Sequence, residues 1–266
     1  MAEFTAKDVQ ALRQATGAGM MDAKKALQET DGDMEAAKKL LREKGLAKAD
    51  TRSDRENSEG AVAYAVGEGS AALVELKCET DFVAKSDAFI KLTQDLADAF
   101  VAEGQAGLDR YKDAVDDLKV TLKENIDIGR TAKVDVEPGQ VVDTYLHRQE
   151  GRGVNGVIVV LSGGTQEVAH DVAVHIAFTK PEYLRREDVP AEVVAEERET
   201  LTKISKAEGK PEAALPKIVE GRLNGWYKER VLLDQPFVRD EKQTIAQLVS
   251  GAGAELVGYA QIFLGG

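Results

Sequence analysis

The chain has one cysteine, three histidines, an aromatic share of 5% and no long apolar run. Each scarcity closes off a class of function. A single cysteine excludes an internal disulfide and any multi-cysteine zinc site. Cys78 ends the run Ala72-Leu73-Val74-Glu75-Leu76-Lys77-Cys78, where it reads as a buried, inert thiol. His170 and His175 are five positions apart, about 140° around a helix axis at roughly 100° per residue, so they do not share the face a metal pair needs. No metal site is expected. No segment is long and apolar enough to span a bilayer, and Met1-Ala2-Glu3-Phe4 carries neither a basic flank nor a signal-type stretch. The expected compartment is the cytoplasm, with no membrane partner.

Catalytic fingerprints are absent as well. The sequence contains no Gly-x-Ser-x-Gly elbow and no P-loop. Gly151-Arg152-Gly153-Val154-Asn155-Gly156 fits Gly-x-Gly-x-x-Gly but precedes a strand-like run instead of joining a strand to a helix, so it reads as a hairpin loop. With 47 acidic residues, chance carboxylate pairs are uninformative. The expectation is a chain that is not an enzyme and holds no cofactor. A net charge of −12 also argues against a nucleic acid as direct partner, because that affinity comes largely from cations that neutralise phosphates.

What is present is a charged, helix-rich chain of 266 residues, enough for two or three compact units. Thr5 and Asp8 have capping-box spacing, so a helix is expected from about Ala6, with Val9 and Leu12 on its apolar face and a stop at Thr16-Gly17-Ala18-Gly19. Asp22 is expected to cap a second helix, and Asp33 a third that closes at Gly45. Residues 1–46 thus read as a three-helix bundle, and residues 47–59 as a polar linker or solvated helix extension.

Beyond Gly60, Ala61 to Val66 and Ala71 to Cys78 read as strands joined by Gly67-Glu68-Gly69-Ser70. A helix follows, with Phe89, Ile90, Leu92, Leu96 and Phe100 recurring at helical spacing. Val141 to Leu146, Val157 to Leu161 and a helix over about 166–178 repeat that order, with Arg148 to Gly156 as the connecting loop. The fold class is therefore α+β: residues 60–140 and 141–266 form two related halves, each a small antiparallel sheet packed by helices, with Ala254 to Phe263 as the last strand. Two apolar stripes, Val193, Val194, Leu201, Ile204 and Leu215, Ile218, Val219, Leu223, Trp226, mark a helical hairpin inserted at about 188–229. Pro216 belongs in the first turn of its second helix. That stripe is open to packing on itself, on the core, or on a second copy as a homodimer.

Two segments remain. In Cys78-Glu79-Thr80-Asp81-Phe82-Val83-Ala84-Lys85, residue chemistry favours a helix cap at Thr80 or Asp81 with Phe82 and Val83 packed inward, over an exposed working segment. In Thr16-Gly17-Ala18-Gly19-Met20-Met21, the methionines suit a partner surface or a small core equally.

These segments, extended through Asp22-Ala23-Lys24-Lys25-Ala26-Leu27 and joined by Gln235-Pro236-Phe237-Val238, resemble the bacterial elongation factor Ts family in motif and in order over nearly the whole chain. The resemblance implies a ubiquitin-associated-like N-terminal bundle, a two-part core and an inserted helical hairpin. It implies elongation factor Tu as partner and acceleration of GDP release as function, with Thr80, Asp81, Phe82 and Val83 entering near the magnesium site. It further implies a contact of Arg13, Gly17, Gly19, Met20 and Met21 with the nucleotide-binding domain, and of His147 with a distal domain. Two departures from the family pattern are a longer 148–156 loop and an end at Gly265-Gly266, where some members continue into a C-terminal module whose contacts this chain is expected to lack. The competing readings are a peptide-docking adaptor acting through the N-terminal bundle, and a hydrolase or transferase built on His147.

Overall fold

The computed structural model describes residues 4–266, with the backbone alone for Leu46, Ala47, Lys48 and Asp50; the expectation attached to the first three residues lies outside the described residues. The N-terminal bundle comprises α1 (Ala6–Thr16), α2 (Met20–Glu29) and α3 (Met34–Asp50) around Val9, Leu12, Ala23, Ala26, Leu27, Ala37 and Leu41. The capping box at Thr5 and Asp8 forms, with the Asp8 amide donating to Thr5 Oγ1 at 3.3 Å and the Thr5 amide to Asp8 Oδ2 at 2.7 Å. α1 ends where Gly17 turns left-handed at φ 66°, a conformation a side chain resists.

Two helix ends differ from the sequence expectation. α2 begins at Met20 with Gly19 as N-cap, so Asp22 lies inside the first turn and makes no capping bond. Its carboxylate still favours the positive end of the helix dipole, which gives it the same sequence signature as a cap. α3 runs through Gly45 to Asp50. Gly45 is there for proximity, not termination: a Cβ on it would meet Val120 Cγ1 at 2.5 Å. With no side chain there, α3 comes into direct contact with the helix Lys112–Leu122.

The core is two back-to-back sheets, each covered by a helix. β1 (Glu59–Gly67) pairs antiparallel with β2 (Ser70–Cys78) through the two-residue turn Glu68-Gly69. The one-turn helix α4 (Asp81–Ala84), α5 (Asp87–Glu103), α6 (Gln105–Arg110) and α7 (Lys112–Leu122) follow. β3 (Asp127–Asp135) then closes the first sheet in the order β1-β2-β3. β4 (Gln140–Gln149) and β5 (Arg152–Ser162) begin the second sheet, α8 (Gln166–Thr179) covers it, and after an excursion β8 completes the order β4-β5-β8. The excursion comprises α9 (Ala191–Ala207), α10 (Leu215–Arg230), the short pair β6 (Pro236–Phe237) and β7 (Asp240–Thr244), and α11 (Ile245–Gly251), before β8 (Glu255–Phe263).

Alternation along the strands explains the layering. Ala61, Ala63, Ala65, Val74 and Leu76 face α5 and its Phe89, Leu92 and Leu96. Val62, Leu73, Ile158, Val160 and Ile262 pack sheet against sheet. Val157, Val159 and Leu161 face α8 and its Val172 and Ile176. Strands buried on both faces read as continuous apolar runs, which is how they stand in the sequence. Phe89 is fully buried, and truncating it to alanine would cost about 3–5 kcal/mol.

The 148–156 segment is not a loop. β4 and β5 continue through it, pairing His147 with Asn155, Arg148 with Gly153 and Gln149 with Arg152, and only Glu150-Gly151 forms the turn. Its glycines serve sheet packing: a Cβ on Gly153 would lie 2.2 Å from the Val62 carbonyl oxygen, and one on Gly156 2.8 Å from Leu73 Cδ2. In the inserted hairpin, Val193, Val194, Leu201 and Trp226 pack with Val189, Leu223, Tyr227 and Val231, so most of the stripe is satisfied internally. Ile204 departs from it and is exposed. Pro216 sits in the first turn of α10, where no backbone donor is needed.

Candidate functional site

The segment after β2 is a single helical turn held from three sides. Thr80 is its N-cap, with Oγ1 accepting from the Val83 amide at 3.4 Å. Ala84 is fully buried and Val83 packs against the first-half core. That leaves Phe82 pointing out, 83% exposed. The inward packing favoured by residue chemistry therefore holds for Val83 but not for Phe82. A phenylalanine this exposed in a chain poor in aromatics is a cost in water that its own core does not repay.

A second support comes from the residues that follow α7. The Glu124 carboxylate accepts from the backbone amides of Glu79 at 3.0 Å and Thr80 at 3.1 Å, and from the Thr80 hydroxyl at 2.5 Å. Glu79 reciprocates, its carboxylate accepting from the Asn125 amide at 2.7 Å. α7 stops just before, at Lys123 with φ 61°. Carboxylates accepting several amides are strong, directional clamps. Nothing in the sequence links Glu124 to Thr80, 44 positions away, so this pair was invisible until the chain folded.

The third support crosses between the halves of the core. Lys85 Nζ donates to Asp81 Oδ2 at 2.6 Å, one helical turn back, and lies 2.5 Å from Glu150 Oε2 in the β4–β5 turn. The hydrogen bond that Lys85 donates holds the Asp81 carboxyl below its ordinary pKa, and donating to Asp81 and Glu150 raises that of Lys85. Asp81 is therefore an anion throughout the neutral range, half exposed beside an exposed aromatic ring. Cys78, at the foot of the turn, is buried, and desolvation pushes its thiol up to about 12. It is inert, as its sequence context suggests.

The other candidate residues form two separate surfaces. Met20 and Met21 are 51% and 63% exposed, while Ala23, Ala26 and Leu27 of the same helix fill the bundle core, which removes the core reading for the methionines. Arg13 is exposed on α1, and Gly17 and Gly19 bracket the turn. This turn lies next to the end of α7: a Cβ on Gly17 would touch Thr121 Cγ2 at 3.4 Å. α7 thus adjoins the Gly17 turn at Thr121 and, three residues on, grips Thr80 through Glu124. His147 is brought to neither; it is exposed on β4, its ring stacked on Tyr145 at 6.5 Å between centroids.

Among the described residues no group of three or more His, Cys, Asp or Glu could hold a metal ion, and no helix is long and apolar enough to cross a membrane. The family model described as Elongation factor TS matches residues 79–266, which open on the turn just described. Over the full length of both chains, elongation factors Ts of Renibacterium salmoninarum and Micrococcus luteus are 48% and 46% identical to this one, and that of Clavibacter michiganensis subsp. michiganensis is 46% identical. The chain belongs to the elongation factor Ts family. In this chain the clamped turn presents the outward Phe82 beside an ionised Asp81.

Proposed function

We propose that this chain binds elongation factor Tu in its GDP form and accelerates GDP release by inserting the Thr80-Asp81-Phe82-Val83 turn near the magnesium and nucleotide site, so that GTP can reload. Membership of the elongation factor Ts family supports the broader part of this reading, nucleotide exchange on elongation factor Tu. The single observation that supports the finer part is Phe82, 83% exposed on a turn whose backbone is clamped by Glu124.

GDP on such a GTPase is held by backbone amides and a lysine around its phosphates, and by a magnesium ion on GTPase side chains. A partner expels it by displacing those ligands, and no bond in the nucleotide need break. Phe82 acts as an apolar wedge whose burial in the complex recovers the cost of its exposure. Asp81, already ionised, brings a carboxylate into the metal region. Rigidity matters because a mobile wedge would lose ordering entropy on entering the partner. Reciprocity then requires that GDP weaken binding of this chain by the same factor by which this chain weakens binding of GDP. Met20 and Met21, adaptable side chains exposed on the bundle, supply a second contact with the nucleotide-binding domain, and His147 a third on a distal domain.

The test is stopped-flow release of fluorescent GDP from elongation factor Tu with catalytic amounts of this chain. Release should accelerate with its concentration and saturate; an unchanged release rate would sink the reading.

A further inference from the structure

The β4–β5 hairpin tip belongs to the second half of the core but spends its side chains on the first. Arg152 is buried and donates to the Gly60 carbonyl at 2.8 Å and to Glu59 Oε2 at 2.8 Å, at the start of β1. Gly153 lies against the Val62 carbonyl where no side chain would fit. Glu150 reaches Lys85 at 2.5 Å, and Lys85 holds Asp81 at 2.6 Å. The tip is thus pinned next to the turn that carries Asp81 and Phe82.

Glu150 is also in a backbone conformation that suits it poorly. It has φ 52° and is followed by Gly151 at φ 86°. Two-residue hairpin turns with positive φ at both positions favour Asn-Gly or Gly-Gly, because a long side chain at the first position strains the left-handed backbone. Fold stability alone would choose asparagine there. The glutamate has the length to reach across the seam, and its carboxylate is the second of the two anions that share the Lys85 ammonium. A glutamate held in the left-handed region of a hairpin turn is a reason to ask what its side chain does there.

We propose that Glu150 is a positioning residue for exchange: by drawing the Lys85 ammonium across the seam it fixes the rotamer of Lys85, and through it the outward carboxylate of Asp81. This rests on the reading that the Asp81-Phe82 turn drives GDP release. Without Glu150, Lys85 keeps Asp81 as its one anionic partner and moves with it, so the carboxylate samples orientations that do not reach the partner's metal region. Docking, which depends on Phe82 and on the N-terminal and distal surfaces, is unaffected. Glu150 therefore sets the rate of release once the complex has formed, not how tightly the complex forms.

The experiment is GDP release from elongation factor Tu, titrated with the full chain as wild type, Glu150→Asn, Glu150→Gln, Lys85→Ala and the Lys85→Ala/Glu150→Asn double variant, with thermal midpoints for each. The asparagine and glutamine variants should lower the maximal release rate by about two- to fivefold, the scale of a partly exposed ion pair. The concentration at half-maximal rate should stay the same. Glu150→Asn should melt at or above the wild-type temperature, since it relieves the turn, while Glu150→Gln should not. The double variant should be no slower than Lys85→Ala. Equal maximal rates for Glu150→Asn and wild type, a loss that tracks the melting temperature, or multiplied losses in the double variant would each overturn the positioning role. A wild-type chain that fails to accelerate release overturns the exchange reading itself, and the positioning role with it.

Discussion

Glu124 holds Thr80 by three hydrogen bonds at once, counting the amide of Glu79 next to it, and so anchors an exposed turn to a helix that begins far from it in sequence. Removing the carboxylate leaves two backbone amides to find water and frees the N-cap threonine. Glu124→Ala should therefore destabilise the fold by about 1–3 kcal/mol, read from urea midpoints. It should also slow GDP release beyond that loss at temperatures where the variant is fully folded. Unchanged release by a folded Glu124→Ala would show that the turn needs no such anchor.

Phe82 gives the complementary case. Its ring is 83% exposed, so Phe82→Ala should change stability by no more than about 0.5 kcal/mol. Exchange should fall by about tenfold or more, as expected for loss of a buried aromatic anchor in the complex. Thermal melts and GDP release measured on the same preparation separate the two, and a matching loss in both would return Phe82 to a packing role.

Glu75 is the buried charge on which the first sheet depends. It is 4% exposed at a β2–β3 irregularity, and Arg130 answers it with Nε at 3.0 Å, Nη2 at 2.7 Å and its backbone amide at 3.0 Å. Burial pushes the Glu75 carboxyl up, but the hydrogen bonds from Arg130 outweigh it and hold the group below its ordinary range. Arg130 also donates to the Phe263 carbonyl at 2.5 Å, tying β3 to β8. Arg130→Ala strands a buried carboxylate and should cost about 3 kcal/mol, whereas Glu75→Gln paired with Arg130→Met should cost much less. Urea titrations of both variants decide it.

His175 makes stability depend on pH. It is fully buried, with Nε2 2.8 Å from Gln235 Oε1 and Nδ1 accepting from the Val238 amide at 3.3 Å, an arrangement that fits only the neutral ring. Burial lowers its pKa below 6.5 and the Gln235 bond opposes this only in part. The unfolded chain binds the proton more readily than the folded one. The contribution is therefore full above about pH 6.5 and is lost as the pH falls from there toward the lower folded-state value. Urea midpoints between about pH 7.5 and about pH 5 should fall more steeply for the wild type than for His175→Gln; parallel curves would show that His175 titrates normally.

Much of this was legible in the sequence because it rests on local rules. The capping box at Thr5, the turn at Glu68-Gly69, the helical spacing of Phe89, Leu92 and Leu96, and Pro216 at a helix start each depend on a few neighbouring residues. The glycines that mislead share one cause. Gly45, Gly153 and Gly156 look like breakers, yet each is a glycine because another element passes within van der Waals distance. β3 carries little strand signal of its own, because charged residues alternate along it and its pairing is set by β2.

By itself the sequence determined the three bundle helices, five of the six core strands, the α+β class of the core and, through its motifs, the family. Local propensity and periodicity are carried by residues close together in the chain. Only the tertiary structure decided that Phe82 points out while Val83 points in, that Glu124 and Glu150 converge on the same turn from opposite halves, and that Met20 and Met21 are surface. Those outcomes turn on which groups meet across long sequence separations, and a carboxylate shows its partner only once the chain has brought the two together.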